Sequence, residues 1–241
     1  MSPPADIEGE SATQASTVDA GETAASKNSR RLARVLAHHA VTHVLDIGAH
    51  RGEYAKRLRR AGYHGRITSF EPQSAAHGEL SAAVADDPAW TVAPRMALGD
   101  SEVPVTLNVS AETDMTSVLD FSAPMAELLT SAAYVGTEVA SQQRLDAVFA
   151  KHVAAGEAVM VKIDTQGTEA RVLDGAAGVL SRVTLIQIEM SIVPVYAGEP
   201  DYLTMIARLA RTGFHPVLFI PGYFNQRTAR LIGLDGVFAR V

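Results

Sequence analysis

The stretch from His43 to Tyr54, HVLDIGAHRGEY, decides how this chain folds. It begins as an apolar β-type run and passes through a turn containing Gly48 and Gly52 into the start of a helix. Glycine lets a backbone turn tightly and approach a ligand closely, because no Cβ stands in the way. In open α/β sheets, ligands bind beyond the carboxyl ends of the strands. The stretch therefore predicts a ligand-binding loop at the edge of a sheet.

The spacing of the two glycines distinguishes between two kinds of ligand. The pattern is G-x-x-x-G, whereas a dinucleotide pyrophosphate is bound by G-x-G-x-x-G. Asp46 stands just before the loop, where its carboxylate would repel a diphosphate but suit a ligand that carries an ammonium and a sulfonium. These features favour S-adenosylmethionine as the cofactor. A nicotinamide-dependent oxidoreductase on a similar sheet and a non-catalytic binding module are the alternatives.

A second acidic residue follows the next predicted strand. Residues 66–70 form a β-type run that ends at Glu71-Pro72, and Glu71 lies 23 positions after Gly48. An acid about 20 residues beyond the glycine turn, at the end of the second strand, can accept hydrogen bonds from both hydroxyls of a ribose. Glu71 is therefore the predicted ribose ligand.

Apolar β-type runs alternate with helical patterns along the remainder of the chain. The runs lie at 43–47, 66–70, 90–93, 103–109, 158–163, 183–189, 214–220 and 234–239. The helical patterns lie at 31–40, with a cap at Ser26, Asn28 or Ser29, and at 52–61, 73–85, 144–153, 167–180 and 200–212. This alternation predicts a parallel sheet covered by helices on both faces. The last two strands are predicted to form an antiparallel pair at one edge.

Two segments depart from this alternation. Residues 1–26 are rich in small, polar and acidic side chains, which predicts a disordered tail because little apolar surface can be buried. Residues 110–138 are polar and interrupt the α/β pattern, and long excursions of this kind are often functional. They are predicted to form a lid or insertion in one domain that spans 27–241.

Composition excludes several classes of protein. The chain has 241 residues, a net charge of -6 and no cysteine, so it has no disulfide, thiolate zinc site or cysteine nucleophile. The negative charge disfavours nucleic acid as a partner. No apolar run reaches the ~18 residues of a membrane span, and the N-terminus lacks the features of a secretory signal. We expect a cytoplasmic protein, and the outer helices indicate no particular oligomeric state.

Five separated motifs resemble a known family. In order they are VLDIGAHRGEYAKRLRRAGYHGRITSFEP (44–72), MALGDSE (96–102), VKIDTQGTEARVLDGA (161–176), IQIEMSIVPVYAGEP (186–200) and DGVFAR (235–240). They are similar to the FkbM family of S-adenosylmethionine-dependent methyltransferases. The resemblance implies a class I methyltransferase fold, a Rossmann-like three-layer α/β sandwich with a seven-stranded, mostly parallel sheet and an antiparallel edge strand. It also implies methyl transfer to an oxygen of a sugar, a glycolipid or another natural product.

The resemblance also implies roles for particular residues. Those expected around the methionine part of the cofactor are Asp46, Gly48, His50 and Gly52, with Tyr54 packed nearby. Glu71, followed by Pro72, would hold the ribose, and Met96, Ala97 and Leu98 would border the adenine. The family has Glu or Gln at the position of Gln166, and a neutral side chain makes Gln166 a poor candidate for a base.

Two carboxylates at strand ends are the candidate catalytic residues. Asp164 follows the buried run Val161–Ile163 and should face the cofactor, where it can take the proton of an acceptor hydroxyl. A helix N-cap is the alternative role for Asp164. Glu189 ends the next strand and can share a proton with Asp164, bind substrate hydroxyls, or pair with Lys162 or an arginine. The two carboxylates could instead hold Mg²⁺, but no dense ligand spacing supports a metal.

The remaining candidates lie in the loops after the strands. Glu169, in the first turn of a helix, is predicted to be structural because a negative charge suits that end of the helix dipole. Aromatic and polar side chains that can contact a sugar-like acceptor, or simply pack within their loops, are Tyr196, Tyr202, Phe224, Asn225 and Gln226.

Overall fold

A computed structural model describes residues 23–126 and 133–241 of the chain. Among these residues the helices are α1 (Ala24–His38), α2 (Glu53–Arg60), α3 (Ser74–Ala83), α4 (Ala123–Ala126), α5 (Leu145–His152), α6 (Glu169–Gly175) and α7 (Tyr202–Arg211). The first strands are β1 (His43–Ile47), β2 (Arg66–Phe70), β3 (Trp90–Val92), β4 (Ala97–Gly99), β5 (Val105–Ser110), β6 (Tyr134–Ala140) and β7 (Gln142–Arg144). The later strands are β8 (Val159–Ile163), β9 (Val183–Ser191), β10 (Phe214–Pro221), β11 (Phe224–Asn225), β12 (Arg230–Leu231) and β13 (Gly233–Arg240).

Seven strands form the main sheet in the order β10-β13-β9-β8-β1-β2-β3. β13 runs antiparallel to both of its neighbours, and the pairs from β9 to β3 are parallel. The seven-stranded, mostly parallel sheet is confirmed. The antiparallel strand, however, lies one position inside the edge, because β13 inserts between β9 and β10. Burial explains this order: Val237 and Phe238 on β13 are fully buried, whereas Val217 and Phe219 on β10 are each 45% exposed.

The register of the parallel strands brings three loops to one level. Ile47, the last residue of β1, lies beside Phe70 at the end of β2 and beside Ile163 at the end of β8. The carboxyl ends of parallel strands meet at the same edge of the sheet, so the loops after β1, β2 and β8 begin side by side. This edge is where ligands bind in open α/β sheets.

The sheet separates two hydrophobic cores. β1 is buried along its whole length, with Leu45 and Ile47 in one core and Val44 in the other, as the alternation of side chains along a strand requires. Phe149 from α5 and Phe238 from β13 are fully buried in the first core. Burying a large apolar side chain contributes roughly 1.5–3 kcal/mol, so these two packed layers hold the strand ends in position.

The N-terminal boundary differs from the sequence-based prediction. α1 begins at Ala24, within the segment predicted to be tail, and the side chain of Thr23 accepts a hydrogen bond from the backbone N–H of Ser26. Threonine is a favoured N-cap because its oxygen satisfies a backbone donor of the first turn. The remainder of the predicted tail, residues 1–22, lies outside the described residues.

The segment between β3 and α5 lies outside the main sheet. The run predicted at 103–109 forms β5, which pairs with β6 instead of joining the main sheet, and β4 pairs with β7. The pattern missed β4, β6 and β7 because β4 and β7 are only three residues long and β6 is mostly exposed. Of the predicted lid at 110–138, residues 127–132 lie outside the described residues. Among residues 23–126 and 133–241, no helix is long and apolar enough to cross a membrane.

Candidate active site

A cavity of about 710 Å³ opens at the carboxyl edge of the parallel strands. The loops after β1, β2 and β8, the end of β9 and parts of residues 112–118 and 195–199 line it. Most of the sequence-predicted residues meet there: Gly48, His50, Glu71, Pro72, Met96, Ala97, Leu98, Asp164 and Glu189. Three of the residues predicted around the cofactor, Asp46, Gly52 and Tyr54, do not line the cavity. We call the part near Glu71 the β1–β2 end and the part near Asp164 the β8–β9 end.

Glu71 is held at the β1–β2 end by backbone donors. Its Oε2 accepts from the backbone N–H of His50 at 2.8 Å, and its Oε1 accepts from the backbone N–H of Gln73 at 2.8 Å. The two bonds fix the plane of the carboxylate and leave lone pairs for further donors. Burial raises the pKa of Glu71 to about 7, against which both backbone bonds act.

The two glycines of the first loop accommodate the protein's own atoms. Gly48 has a φ of +76°, and a Cβ there would lie 1.8 Å from the backbone oxygen of Asp164. Gly52 has a φ of +81°, and its Cβ would lie 2.6 Å from the ring of Trp90. Gly48 thus lets the loops after β1 and β8 touch. Gly52, which the sequence placed beside the ligand, instead makes room for the core.

Lys162 connects the two ends of the cavity from below. This buried residue of β8 places Nζ 3.3 Å from Asp46 Oδ1 and 3.2 Å from Asp164 Oδ2, and donates to the Gly48 carbonyl oxygen at 3.2 Å. Burial lowers the pKa of Lys162, but Asp164 and Asp46 outweigh it and hold the pKa above its usual range. Asp46 therefore affects the site through Lys162. The sequence also suggested an ion pair between Glu189 and Lys162, but the carboxylates paired with this lysine are Asp46 and Asp164.

Tyr54 belongs to the same buried network. Its hydroxyl donates to Gln187 Oε1 at 2.7 Å, and the amide of Gln187 donates to Asp235 Oδ2 at 3.1 Å. The ammonium of Lys162 lies 5.2 Å from the centre of the Tyr54 ring, within cation–π range. Tyr54 supports the lysine beneath the cavity, which the sequence motif alone does not reveal.

Asp164 and Glu189 form a carboxyl pair at the β8–β9 end. Burial alone raises the pKa of Asp164, but Lys162 and hydrogen bonds from Glu189 and Gln166 hold that pKa below its usual range. Burial, together with the charges of Asp164 and Glu169, raises the pKa of Glu189 well above its ordinary value. The pair therefore combines one carboxyl whose pKa is lowered with one whose pKa is raised.

Glu169 closes the loop between β8 and α6. Its Oε1 accepts from the backbone N–H groups of Thr165 at 2.7 Å and Gly167 at 3.2 Å, and from the Thr165 hydroxyl at 3.2 Å. Burial raises the pKa of Glu169 to about 7. These bonds agree with the structural role that the sequence suggested for this residue.

The position of Tyr196, after β9, matches the second of the two roles predicted for it, packing within its loop. Tyr196 is 3% exposed and stacks on Phe121, which in turn stacks on Tyr134. Its hydroxyl donates to Gln166 Oε1 at 2.7 Å. Tyr196 lines the cavity, but its ring is buried against Phe121 and its hydroxyl is bonded to Gln166, so it does not offer a free face to a sugar ring.

The other loop candidates lie outside the cavity lining. Tyr202 packs against the core, and Asn225 Oδ1 accepts backbone hydrogen bonds within its own turn. Phe224 and Gln226 are exposed and are likewise absent from the lining. The residue of this loop that reaches the cavity is Tyr223, which is 61% exposed and which the sequence pattern did not single out.

Solved structures share this fold at low sequence identity. A protein from Thermobifida fusca YX, provisionally described as a methyltransferase, is similar with a TM-score of 0.52 at 8% identity, over 90% of this chain and 80% of that chain. A magnesium protoporphyrin IX methyltransferase from Synechocystis PCC 6803, with bound S-adenosylmethionine, has a TM-score of 0.48 at 10% identity, over 90% and 80%. No curated protein matches the sequence.

The sheet order is that of the class I, Rossmann-like methyltransferase fold, and the cavity lies at the carboxyl ends of the parallel strands. Residues 46–216 match the methyltransferase FkbM domain, which is more than half of the chain. The protein belongs to the FkbM methyltransferase family, and its cofactor is S-adenosylmethionine. This membership contradicts the alternative of a nicotinamide-dependent oxidoreductase.

The residues of the cavity fit this cofactor. The volume of the cavity, about 710 Å³, lies in the ordinary range for ligand sites. The carboxylate of Glu71 has lone pairs left for a ribose, and Met96, Ala97 and Leu98 line an apolar wall that suits a purine. In the described part of the chain, no group of three or more histidine, aspartate or glutamate side chains is placed to hold a metal ion.

Proposed function

We propose that the protein transfers the methyl group of S-adenosylmethionine to a hydroxyl oxygen of a small acceptor, such as a sugar, a glycolipid or another natural product. Asp164 takes the proton of the hydroxyl, and Glu71 and the apolar wall at Met96–Leu98 hold the cofactor. The unequal carboxyl pair of Asp164 and Glu189 in the cavity lining carries this proposal.

The carboxyl pair suits what oxygen methylation requires. The bound cofactor supplies a methyl group on a cationic sulfonium that leaves as a neutral thioether, so no acid has to protonate a leaving group. A hydroxyl is a poor nucleophile until a base removes its proton, which contributes typically 10²–10⁴-fold to such a reaction. Asp164 is the member of the pair that is ionised and able to accept this proton. Glu189, which keeps its own proton, can donate a hydrogen bond to an acceptor oxygen.

The charge of the cavity supports an acceptor without phosphates. Seven acidic side chains line it, and the single lysine or arginine in the described lining is Arg171. The acidic residues are Glu71, Glu112, Asp114, Asp164, Glu169, Glu189 and Glu199. Nucleic acids bind through lysine and arginine contacts to their phosphates, so this lining disfavours RNA as the acceptor. Carboxylates accept hydrogen bonds from several hydroxyls at once, which suits a sugar.

The test is transfer of a labelled methyl group from S-adenosylmethionine to matched acceptors. We expect label in polyhydroxylated sugars and hydroxylated natural products, and none in the same compounds with the hydroxyls replaced by hydrogen. Amines and transfer RNA serve as competing acceptors. Label that appears mainly in amines or in RNA would overturn the proposal.

Calorimetric titration with S-adenosylhomocysteine should accompany the screen. Binding without transfer to any acceptor class would favour the alternative of a non-catalytic module. Tight binding together with transfer to hydroxyls would support the proposed reaction.

A further inference from the structure

Gln166, which the sequence made a poor candidate for a base, lies between the two carboxyl groups of the β8–β9 end. Its Nε2 donates to Asp164 Oδ1 at 2.8 Å and to Glu189 Oε2 at 3.0 Å. Its Oε1 accepts from the Tyr196 hydroxyl at 2.7 Å, and its backbone oxygen accepts from the Ser117 hydroxyl at 2.6 Å. Each polar group of the side chain therefore has a partner at the site.

The orientation of the amide follows from these partners. Two carboxyl oxygens on one side require the NH₂ group, because the amide oxygen would face two other acceptors there. The Tyr196 hydroxyl lies on the opposite side and donates to the amide oxygen. Tyr196 is itself fixed, since it is buried and stacks on Phe121.

The backbone at Gln166 is held in an unusual conformation. Its φ is +54°, in the left-handed region that residues other than glycine seldom occupy. Such a conformation costs roughly 1–3 kcal/mol and persists where the surroundings enforce it, often at functional sites. The Ser117 hydroxyl holds the carbonyl in this position. The left-handed backbone thus accompanies a side chain that lies between Asp164 and Glu189.

We infer that Gln166 is a positioning residue that holds the carboxyl groups of Asp164 and Glu189 together as a pair, and that Tyr196 orients it. The geometric part of this inference is independent of the acceptor, whereas its effect on turnover rests on the proposed function. The charged or titratable groups that also face the pair are Lys162 and Asp46 below it, Glu169 on α6, Asp235 on β13 and His50 in the first loop.

The direct test is a titration of the Asp164 and Glu189 carboxyl carbons by NMR, which needs no acceptor. Gln166→Met keeps the length of the side chain and removes the NH₂ donor, so Asp164 should titrate at a higher pH than in the wild type. Tyr196→Phe keeps the stacked ring and should shift Asp164 in the same direction by less. Gln143→Met, on β7 outside the cavity, is the matched control and should shift neither carboxyl.

Gln166→Glu provides a second variant of nearly the same shape. A third carboxyl group beside the pair should raise the titration midpoints further. If Asp164 titrates as in the wild type in both Gln166 variants while both remain folded, Gln166 only fills space and the inference is wrong.

Turnover gives an independent readout once an acceptor is found. In Gln166→Met we expect kcat to fall on the order of 10-fold near neutral pH, with KM changed less than about 3-fold. A rise in KM as large as the fall in kcat would contradict a positioning role. Wild-type protein without transfer to any hydroxyl would refute the proposed function, and the carboxyl titration would still decide the role of Gln166.

Discussion

The two ends of the cavity are held by different parts of the chain. At the β1–β2 end, backbone N–H groups hold the carboxylate of Glu71. At the β8–β9 end, the side chains of Lys162 and Gln166 set the state of Asp164. Backbone donors stay in place as long as the fold does, whereas side-chain donors can be removed one at a time. The first end should therefore tolerate changes around its carboxylate, and the second should respond sharply to single substitutions.

The largest expected effect is at Asp164 itself. Asp164→Asn keeps the shape of the side chain and removes the base, so turnover should fall on the order of 10³-fold. Binding of S-adenosylhomocysteine should change less than about 3-fold, because the β1–β2 end is untouched. Single-turnover assays and calorimetry measure the two effects. Unchanged turnover would exclude Asp164 as the base, and a parallel loss of cofactor binding would show that the two ends are not separable.

Gly48, where the loops of the two ends touch, should give the largest effect on stability. In Gly48→Ala the new Cβ clashes with the backbone oxygen of Asp164, and the residue must also keep a φ of +76°, which is strained for alanine. We expect a loss of more than ~3 kcal/mol in the free energy of unfolding, measured with urea. Gly62→Ala is the matched control, since Gly62 has a φ of +91° and no atom within 4 Å of the added Cβ. It should cost only about 1 kcal/mol, and equal losses would show that the contact between the loops is unimportant.

Glu71 tests the backbone-held end. Glu71→Ala should weaken binding of S-adenosylmethionine roughly 10–100-fold, because two ribose hydroxyls lose a charged acceptor. Burial raises the pKa of Glu71 to about 7, so wild-type affinity should also fall as the pH drops from 8 to 6 and the carboxylate is protonated. Calorimetry across this range, with the exposed Glu79→Ala as control, measures both effects. Affinity that does not depend on pH would place the ribose elsewhere.

The smallest expected effect concerns Glu169, a second carboxyl held by backbone N–H groups. Burial raises the pKa of Glu169 to about 7 from an ordinary 4.5. Between these values the folded state binds more protons than the unfolded state, so this group lowers stability as the pH rises through that window. Glu169→Gln keeps Oε1 as an acceptor but cannot titrate. Above pH 7 it should be more stable than the wild type by on the order of 1–2 kcal/mol.

Urea unfolding at pH 5 and at pH 7.5 measures how the free energy of unfolding changes with pH. Glu102→Gln, at an exposed position, serves as the matched control. An equal slope for wild type and Glu169→Gln would mean that the buried carboxyl does not govern the pH dependence of stability.

The sequence motifs located the β1–β2 end well. The glycine turn and Glu71 each follow an apolar strand directly, and Met96–Leu98 begins three residues after the run at 90–93. Their place at the sheet edge therefore follows from strand order. Asp46, Gly52 and Tyr54 belong to the same motif, yet they lie beneath the cavity lining. A one-dimensional motif does not separate residues that touch a ligand from those that support the loop.

The β8–β9 end was located only in part. Asp164 and Glu189 could be placed because each ends a buried strand. Lys162 offered a signal of its own, since an isolated charge inside an apolar strand is costly without a partner. The sequence could not say that its partners are Asp46 and Asp164, residues brought together by the pairing of β1 with β8.

The sequence by itself determined the class of fold, the family and the cofactor, because strand–turn–helix units are local and their order along the chain is written in the apolar periodicity. The tertiary structure alone decided how the carboxyl pair is controlled. Gln166 meets Glu189, Tyr196 and Ser117 only after segments 23 to 49 residues apart are packed together. The ionisation of a buried carboxyl depends on the distance and direction of every neighbouring charge and donor, and those are properties of the folded chain.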